Sequence, residues 1–218
     1  MSYEFPPIAL FKPIARCRHR RRAPAVNGKL GDWSEEYQLP PLDELSGEEG
    51  LARFYLGWNR RGLYLALEVP KEQPVVVNRQ NPTAGDGLEL FVDTRATQTS
   101  HRATQFCHHF VVLPAGGGRW RKQAMVWQVP IRRALQRAPL ATAEHLKVAS
   151  ELRDDGYALE LALGVGALHG YEPEVGARMG LALVLHDIQR GRRFWGTSEG
   201  FPYTRDPSTW ALMELLKE

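Results

Sequence analysis

The sequence predicts an all-β protein, a single antiparallel β-sandwich of about ten strands. Three observations predict it. Short runs of alternating apolar residues are separated by Gly, Pro and Asp turns. Four of these runs are paired into two hairpins by their turn signatures, and helical periodicity is scarce.

The elements follow in chain order. Residues 1–25 are punctuated by Pro6-Pro7, Pro13 and Pro24 and carry the run Arg16-Cys17-Arg18-His19-Arg20-Arg21-Arg22. They read as an extended basic arm, with residues 26–218 as the sandwich domain. Asn27-Gly28 signals a turn, and residues 38–50 read as a loop. Phe54, Leu56 and Trp58 alternate on one strand, and Leu63, Leu65, Leu67 and Val69 on its return. Asn59-Arg60-Arg61-Gly62 joins them, with Gly62 able to take positive φ. Leu88, Leu90 and Val92 share one face of the next strand, Glu89, Phe91 and Asp93 the other. Residues 106–113 form a strand that ends at Pro114 and Gly116-Gly117-Gly118, and 123–129 a weaker one. Residues 146–152 and 157–163 form a second hairpin around Asp154-Asp155-Gly156. Residues 181–185, 193–196 and 210–215 complete the strands. Residues 131–138 and 165–169 are candidate short helices.

Composition bounds the function. The chain has 218 residues, 43% of them hydrophobic, and a net charge of +3. The overall charge selects no partner. No run is long and apolar enough for a transmembrane helix, and residues 1–24 lack the apolar centre of a signal peptide. A cytoplasmic location is therefore expected. Cys17 and Cys107 are the only cysteines and read as unpaired thiols rather than a zinc or disulfide framework.

The chemistry-bearing residues point to binding rather than catalysis. Glu89 and Asp93 share a face, with α-carbons about 13 Å apart. Glycosidase carboxyl pairs lie about 5 Å apart in retaining enzymes and up to about 9.5 Å apart in inverting ones. The pair suits hydroxyl or cation anchoring better, and Glu89 alternatively pairs with an arginine across the sheet. His108 and His109 are adjacent on a strand, so their rings point to opposite faces and cannot chelate one ion. No nucleophile elbow, phosphate loop or dinucleotide fingerprint is present. The arginine-rich arm suits a protein partner; nucleic acid is not expected, because no stacking platform accompanies it. Among the late aromatics, Trp195 and Trp210 read as core. Tyr203, in the stretch 196–206, is the candidate stacking ring.

Several segments, in order, resemble the family nine carbohydrate-binding modules and their DOMON-like relatives. They are Val26-Asn27-Gly28-Lys29-Leu30-Gly31-Asp32-Trp33, Leu56-Gly57-Trp58 through Gly62-Leu63-Tyr64-Leu65, and Gly85-Asp86-Gly87-Leu88-Glu89-Leu90-Phe91-Val92-Asp93. Asp155-Gly156-Tyr157-Ala158-Leu159-Glu160, Gly180-Leu181 through Asp187, and Arg205-Asp206-Pro207-Ser208-Thr209-Trp210 complete the set. The resemblance implies a jelly-roll sandwich that binds saccharide without catalysis on its concave sheet. Glu89 and Asp86 would accept hydroxyls, Tyr203 would stack, and His108 and Arg205 would donate. It implies no cofactor beyond structural calcium, for which Asp93 and Asp187 are the acids offered. The family's second clamp ring follows the Asn-Pro pair; here Asn81-Pro82 leads to Thr83, leaving Trp58 or Trp120 to substitute. The family's strand arginine falls near Cys107 or His108. Two alternatives stay open. One is a degenerate sandwich that scaffolds protein partners through the basic arm. The other is a haem-binding DOMON-type domain with Met125 and His108 as axial ligands.

Overall fold

The alternating runs become eleven strands in the computed structural model, which describes residues 13–41 and 52–217. They are β1 (Ile14–His19), β2 (Arg53–Asn59), β3 (Gly62–Pro70), β4 (Gly87–Asp93), β5 (Cys107–Gly117) and β6 (Gln123–Gln128). β7 (Leu146–Arg153), β8 (Gly156–Gly164), β9 (Arg178–Asp187), β10 (Gly191–Trp195) and β11 (Ala211–Leu216) follow. No α-helix occurs among the described residues. Residues 131–138 form turns and extended chain, and only Val165–Ala167 of the second candidate helix makes a 3₁₀ turn.

The strands run in the order β6-β5-β4-β9-β11-β1-β2-β3-β8-β7, with β10 also paired to β9. β9 is flanked along one edge by β4. Its other edge is shared end to end, with β11 beside residues 178–181 and β10 beside residues 183–187. The path folds into two layers whose facing sides form the main core. Leu88, Leu90, Val92, Phe110, Val112, Leu181, Leu183 and Leu185 come from one layer; Leu56, Trp58, Leu63, Leu65, Leu67, Leu159 and Leu161 come from the other.

Both hairpins lie where the turn residues put them. Asn59 pairs with Gly62, and Arg153 with Gly156. Gly156 has φ +143°. Gly62 is not left-handed; glycine is required there because a β-carbon would lie 2.1 Å from the Leu163 carbonyl oxygen. The basic arm does not stay irregular. Residues 1–12 lie outside the described residues, but Ile14–His19 forms β1, parallel to both β11 and β2. Most of the loop expected at 38–50 also lies outside them. Cys17 is in the main core and Cys107 on the opposite face of its sheet, both as free thiols.

The motif at residues 26–33 ties this start of the chain to β8. The Glu160 carboxylate accepts hydrogen bonds from the backbone N–H groups of Asn27 and Gly28 (2.7 Å each) and from the Trp33 indole (2.9 Å).

Candidate functional site

The outer face of the β10-β9-β4-β5-β6 layer carries the side chains that the main core does not use. Opposed residues on neighbouring strands share a face, so the register assembles rows across it. One row reads Phe194, Val184, Glu89, Val111, Trp127. Phe194 and Trp127 are half-buried at its two ends. At about 4.8 Å per strand their backbones stand about 19 Å apart, with Glu89 midway.

Glu89 is 7% exposed and held between two imidazoles. His109 Nε2 lies 2.9 Å from Oε1, and His186 Nε2 lies 2.8 Å from Oε2. Burial alone raises a carboxyl pKa. The two histidines outweigh it and hold Glu89 down at about 2. His186 Nδ1 is buried without a hydrogen-bond partner among the described residues. The His109 ring stacks on Phe91, with centroids 4.2 Å apart.

Tyr203 lies on the same face. Its ring meets Phe91 and Phe194 edge-on at 5.7 and 5.5 Å, and its carbonyl accepts the Trp210 indole N–H. With Ile131, Ala182 and Val184 these rings form a second apolar cluster, which fills the Phe91 half of the face. Tyr203 is 7% exposed, so its ring is packed into this cluster rather than standing free on the face. The other half carries Glu89 and His186, with Arg192 opposite His186, and the Glu89 row has Phe194 at one end and Trp127 at the other. Arg192 sits over Phe194, 5.8 Å from its centroid, and pairs with Glu199.

The family model for carbohydrate family 9 binding domain-like proteins matches residues 42–218. The chain belongs to this family. A family 9 carbohydrate-binding module from Caldicellulosiruptor kristjanssonii, solved with cellotriose, superposes with a TM-score of 0.63 at 15% identity, covering 94% of this chain and 95% of that one. The same organism's module with glucose gives 0.62 at 16% identity, covering 93% and 96%. A protein from Bacteroides uniformis gives 0.55 at 13%, covering 93% and 99%. No curated protein matches the chain.

Within this family 9 domain, the residues nominated from sequence separate into those on the face and those elsewhere. Glu89 and Tyr203 share the face. Arg205 is exposed two residues further along the Tyr203 loop, its carbonyl accepting from the Ala103 N–H. Asp86 is 1% exposed and already accepts from Val76 N and Ile188 N while facing the Lys71 ammonium at 3.2 Å, so it is not open to a ligand. His108 points the other way, into the interior. It is fully buried, its Nε2 lies 3.3 Å from the His169 carbonyl, and desolvation lowers its pKa to about 4. The histidine that meets Glu89 is its neighbour, His109. Glu89 therefore pairs with histidines, not with the arginine considered above. Trp58 is 1% exposed in the main core. Trp120 is exposed, but lies in the turn beyond Gly117, the end of β5 that is about 20 Å along the strand from Val111 in the Glu89 row.

The other two nominations fail on geometry. Met125 opposes Leu113 on the outer face while His108 faces inward, so the two cannot ligate one haem iron. Asp93 and Asp187 stand at opposite ends of the β4–β9 ladder and cannot share an ion. Asp93 accepts from Arg95 N and Thr97 N; Asp187 faces the fully buried Lys71 ammonium at 3.3 Å and pairs with Arg190. These acids do not fit calcium, and no three metal-ligating side chains converge among the described residues. Sequence reasoning missed Trp127, Phe194, His109 and His186. Only the cross-strand register groups them around Glu89.

Proposed function

We propose that this domain binds a neutral oligosaccharide, without catalysis, across the Phe194–Glu89–Trp127 row. The observation that carries the reading is a buried carboxylate, clamped by two histidines, midway between two half-exposed rings. Sugar C–H faces are apolar and pack on flat rings. Glu89 keeps unshared lone pairs on each oxygen for hydroxyl donors, and His109 and Arg192 supply further polar contacts. Family membership supports the saccharide class, as do the glucose and cellotriose complexes of its fold neighbours. Rings about 19 Å apart at the backbone suit several sugar units lying across the strands better than one unit gripped between them. Absence of catalysis is supported by the carboxylates. The acid nearest Glu89 along the strand, Asp93, is committed to two backbone amides.

Calorimetric titration of glucose, cellobiose and cellotriose tests this. Affinity should rise with length. Trp127→Ala and Phe194→Ala should each weaken trisaccharide binding about tenfold, the loss of roughly 1.4 kcal/mol of stacking. Absence of heat with every neutral sugar at millimolar concentration would overturn the reading.

A further inference from the structure

The arginine run noted in the sequence builds a second feature, away from the row around Glu89. A cleft of about 790 Å³ opens where β1 ends, beside the β2–β3 turn and the end of β11. Among the described residues, Arg20, Arg21, Arg22, Arg60, Arg61 and Lys217 bring six permanent cations to its lining, against one carboxylate, Glu174. That carboxylate is already engaged by Arg60, Nε to Oε1 at 2.9 Å. A second groove of about 460 Å³ shares Arg21 and Lys217 and adds Arg18 and one more acid, Glu36. Leu215 aligns with Ala177, whereas Glu89 aligns with Val184, so the end of β11 that borders the cleft is about 23 Å along the strands from the row.

The cleft is preorganised. Arg20 is 7% exposed, and its guanidinium lies over Trp33 and Tyr37, 4.5 and 4.2 Å from their centroids. Its NH2 donates to the Asp32 carbonyl, but Nε and NH1 are buried without a hydrogen-bond acceptor among the described residues. Asn59 donates to the Arg20 carbonyl, and Arg20 N–H donates to that of Trp58. Gly57 makes room for the side chain; a β-carbon there would lie 2.5 Å from Arg20 Cδ. Arg21 and Arg22 therefore leave a fixed backbone, and Arg22 and Arg61 are exposed. Concentrated like charge, with a buried guanidinium short of acceptors, is stabilised by an anion.

We propose that this cleft binds an acidic glycan, whose carboxylates or sulfates pair with the arginines. Arginine forks match both groups, and two contiguous grooves suit an extended chain rather than a single ion. Single-stranded nucleic acid fits less well. Its bases need open rings to stack on, but Trp58 is 1% exposed and the rings of Trp33 and Tyr37 are taken by Arg20.

The test is calorimetry on the intact chain at 50 and 300 mM NaCl. The probes are a heparin octasaccharide, an oligogalacturonate of equal length, a neutral cello-oligosaccharide and a single-stranded oligonucleotide of equal charge. We expect at least one acidic glycan to bind at low salt and to weaken at least tenfold at high salt. Which of the two binds separates sulfate from uronate. The double variant Arg22→Glu with Arg61→Glu, checked for an unchanged melting temperature, should lose at least tenfold for that glycan. Trp127→Ala should leave it unaffected, which separates this cleft from the neutral-sugar row. No binding of either acidic glycan, equal binding by the double variant, or tighter binding of the oligonucleotide would each overturn the assignment.

Discussion

At the scale of single residues, Glu89 and His108 have opposite fates. Both lie on neighbouring strands in the same ladder, and one side of a sheet separates them. Glu89 has its pKa depressed from 4.5 to about 2. The folded chain keeps that charge where the unfolded chain would take up a proton. Its stabilisation is therefore complete above pH 4.5 and is lost as pH falls toward 2. Glu89→Gln should remove that acid-sensitive component from a denaturation series between pH 4.5 and 2, and should weaken trisaccharide binding. A variant with an unchanged acid limb would mean that the histidine contacts do not hold the carboxylate. That Glu89 faces outward was legible from strand alternation alone. The nomination of His108 is corrected by its strand: it shares a side with Phe110 and Val112, which lie in the main core, whereas His109 shares the other side with Cys107 and Val111. Which partner meets Glu89 was not legible, because His186 comes from a strand 97 residues away.

At the scale of elements, the two hairpins, the apolar faces of β3, β4 and β8, and the turn at Gly156 were all written locally, in periods and dipeptides. β1 was not. Its residues, Ile14-Ala15-Arg16-Cys17-Arg18-His19, alternate, but charged side chains occupy the outward positions and disguise the strand as a basic arm. The Trp127 and Phe194 positions were hidden for another reason. Each lies in a recognisable strand, but their common row depends on the register of four strand pairs. The Asn27-Gly28 to Trp33 motif, by contrast, has a local structural purpose. Glu160→Ala should leave three donors without their acceptor and cost about 2–5 kcal/mol. Hydrogen exchange should then accelerate at Asn27 and Gly28 while β8 stays protected; unchanged exchange at those amides would refute the tie.

At the scale of the whole molecule, the buried titratable groups mostly point the same way. His108 is held neutral down to about 4, so the unfolded chain takes up its proton first, beginning near 6.5. Asp187, where burial is outweighed by Arg190 and backbone N–H groups, is depressed to about 2, as Glu89 is. Asp93 opposes them, raised by burial. The net expectation is a folded state that loses stability from about pH 6.5 downward in two stages, first through His108 and then through the carboxylates. Melting temperatures measured from pH 7.5 to 3 check it. A curve flat from pH 6.5 to 4 would mean that His108 is solvated and protonated in the folded state. His108→Gln should flatten that first stage alone.

The parallel pairing of β1 with β11 sets residue 14 beside residue 212. During synthesis β1 leaves the ribosome long before β11 exists, so, apart from its short pairing with β2, its other edge must wait unpaired until residues 211–216 have been made. Contacts so distant in sequence slow closure. Closure of the sheet at β11 is then a late step of assembly, and a chain truncated before β11 would expose the raw flanks of β1 and β9 to neighbouring chains.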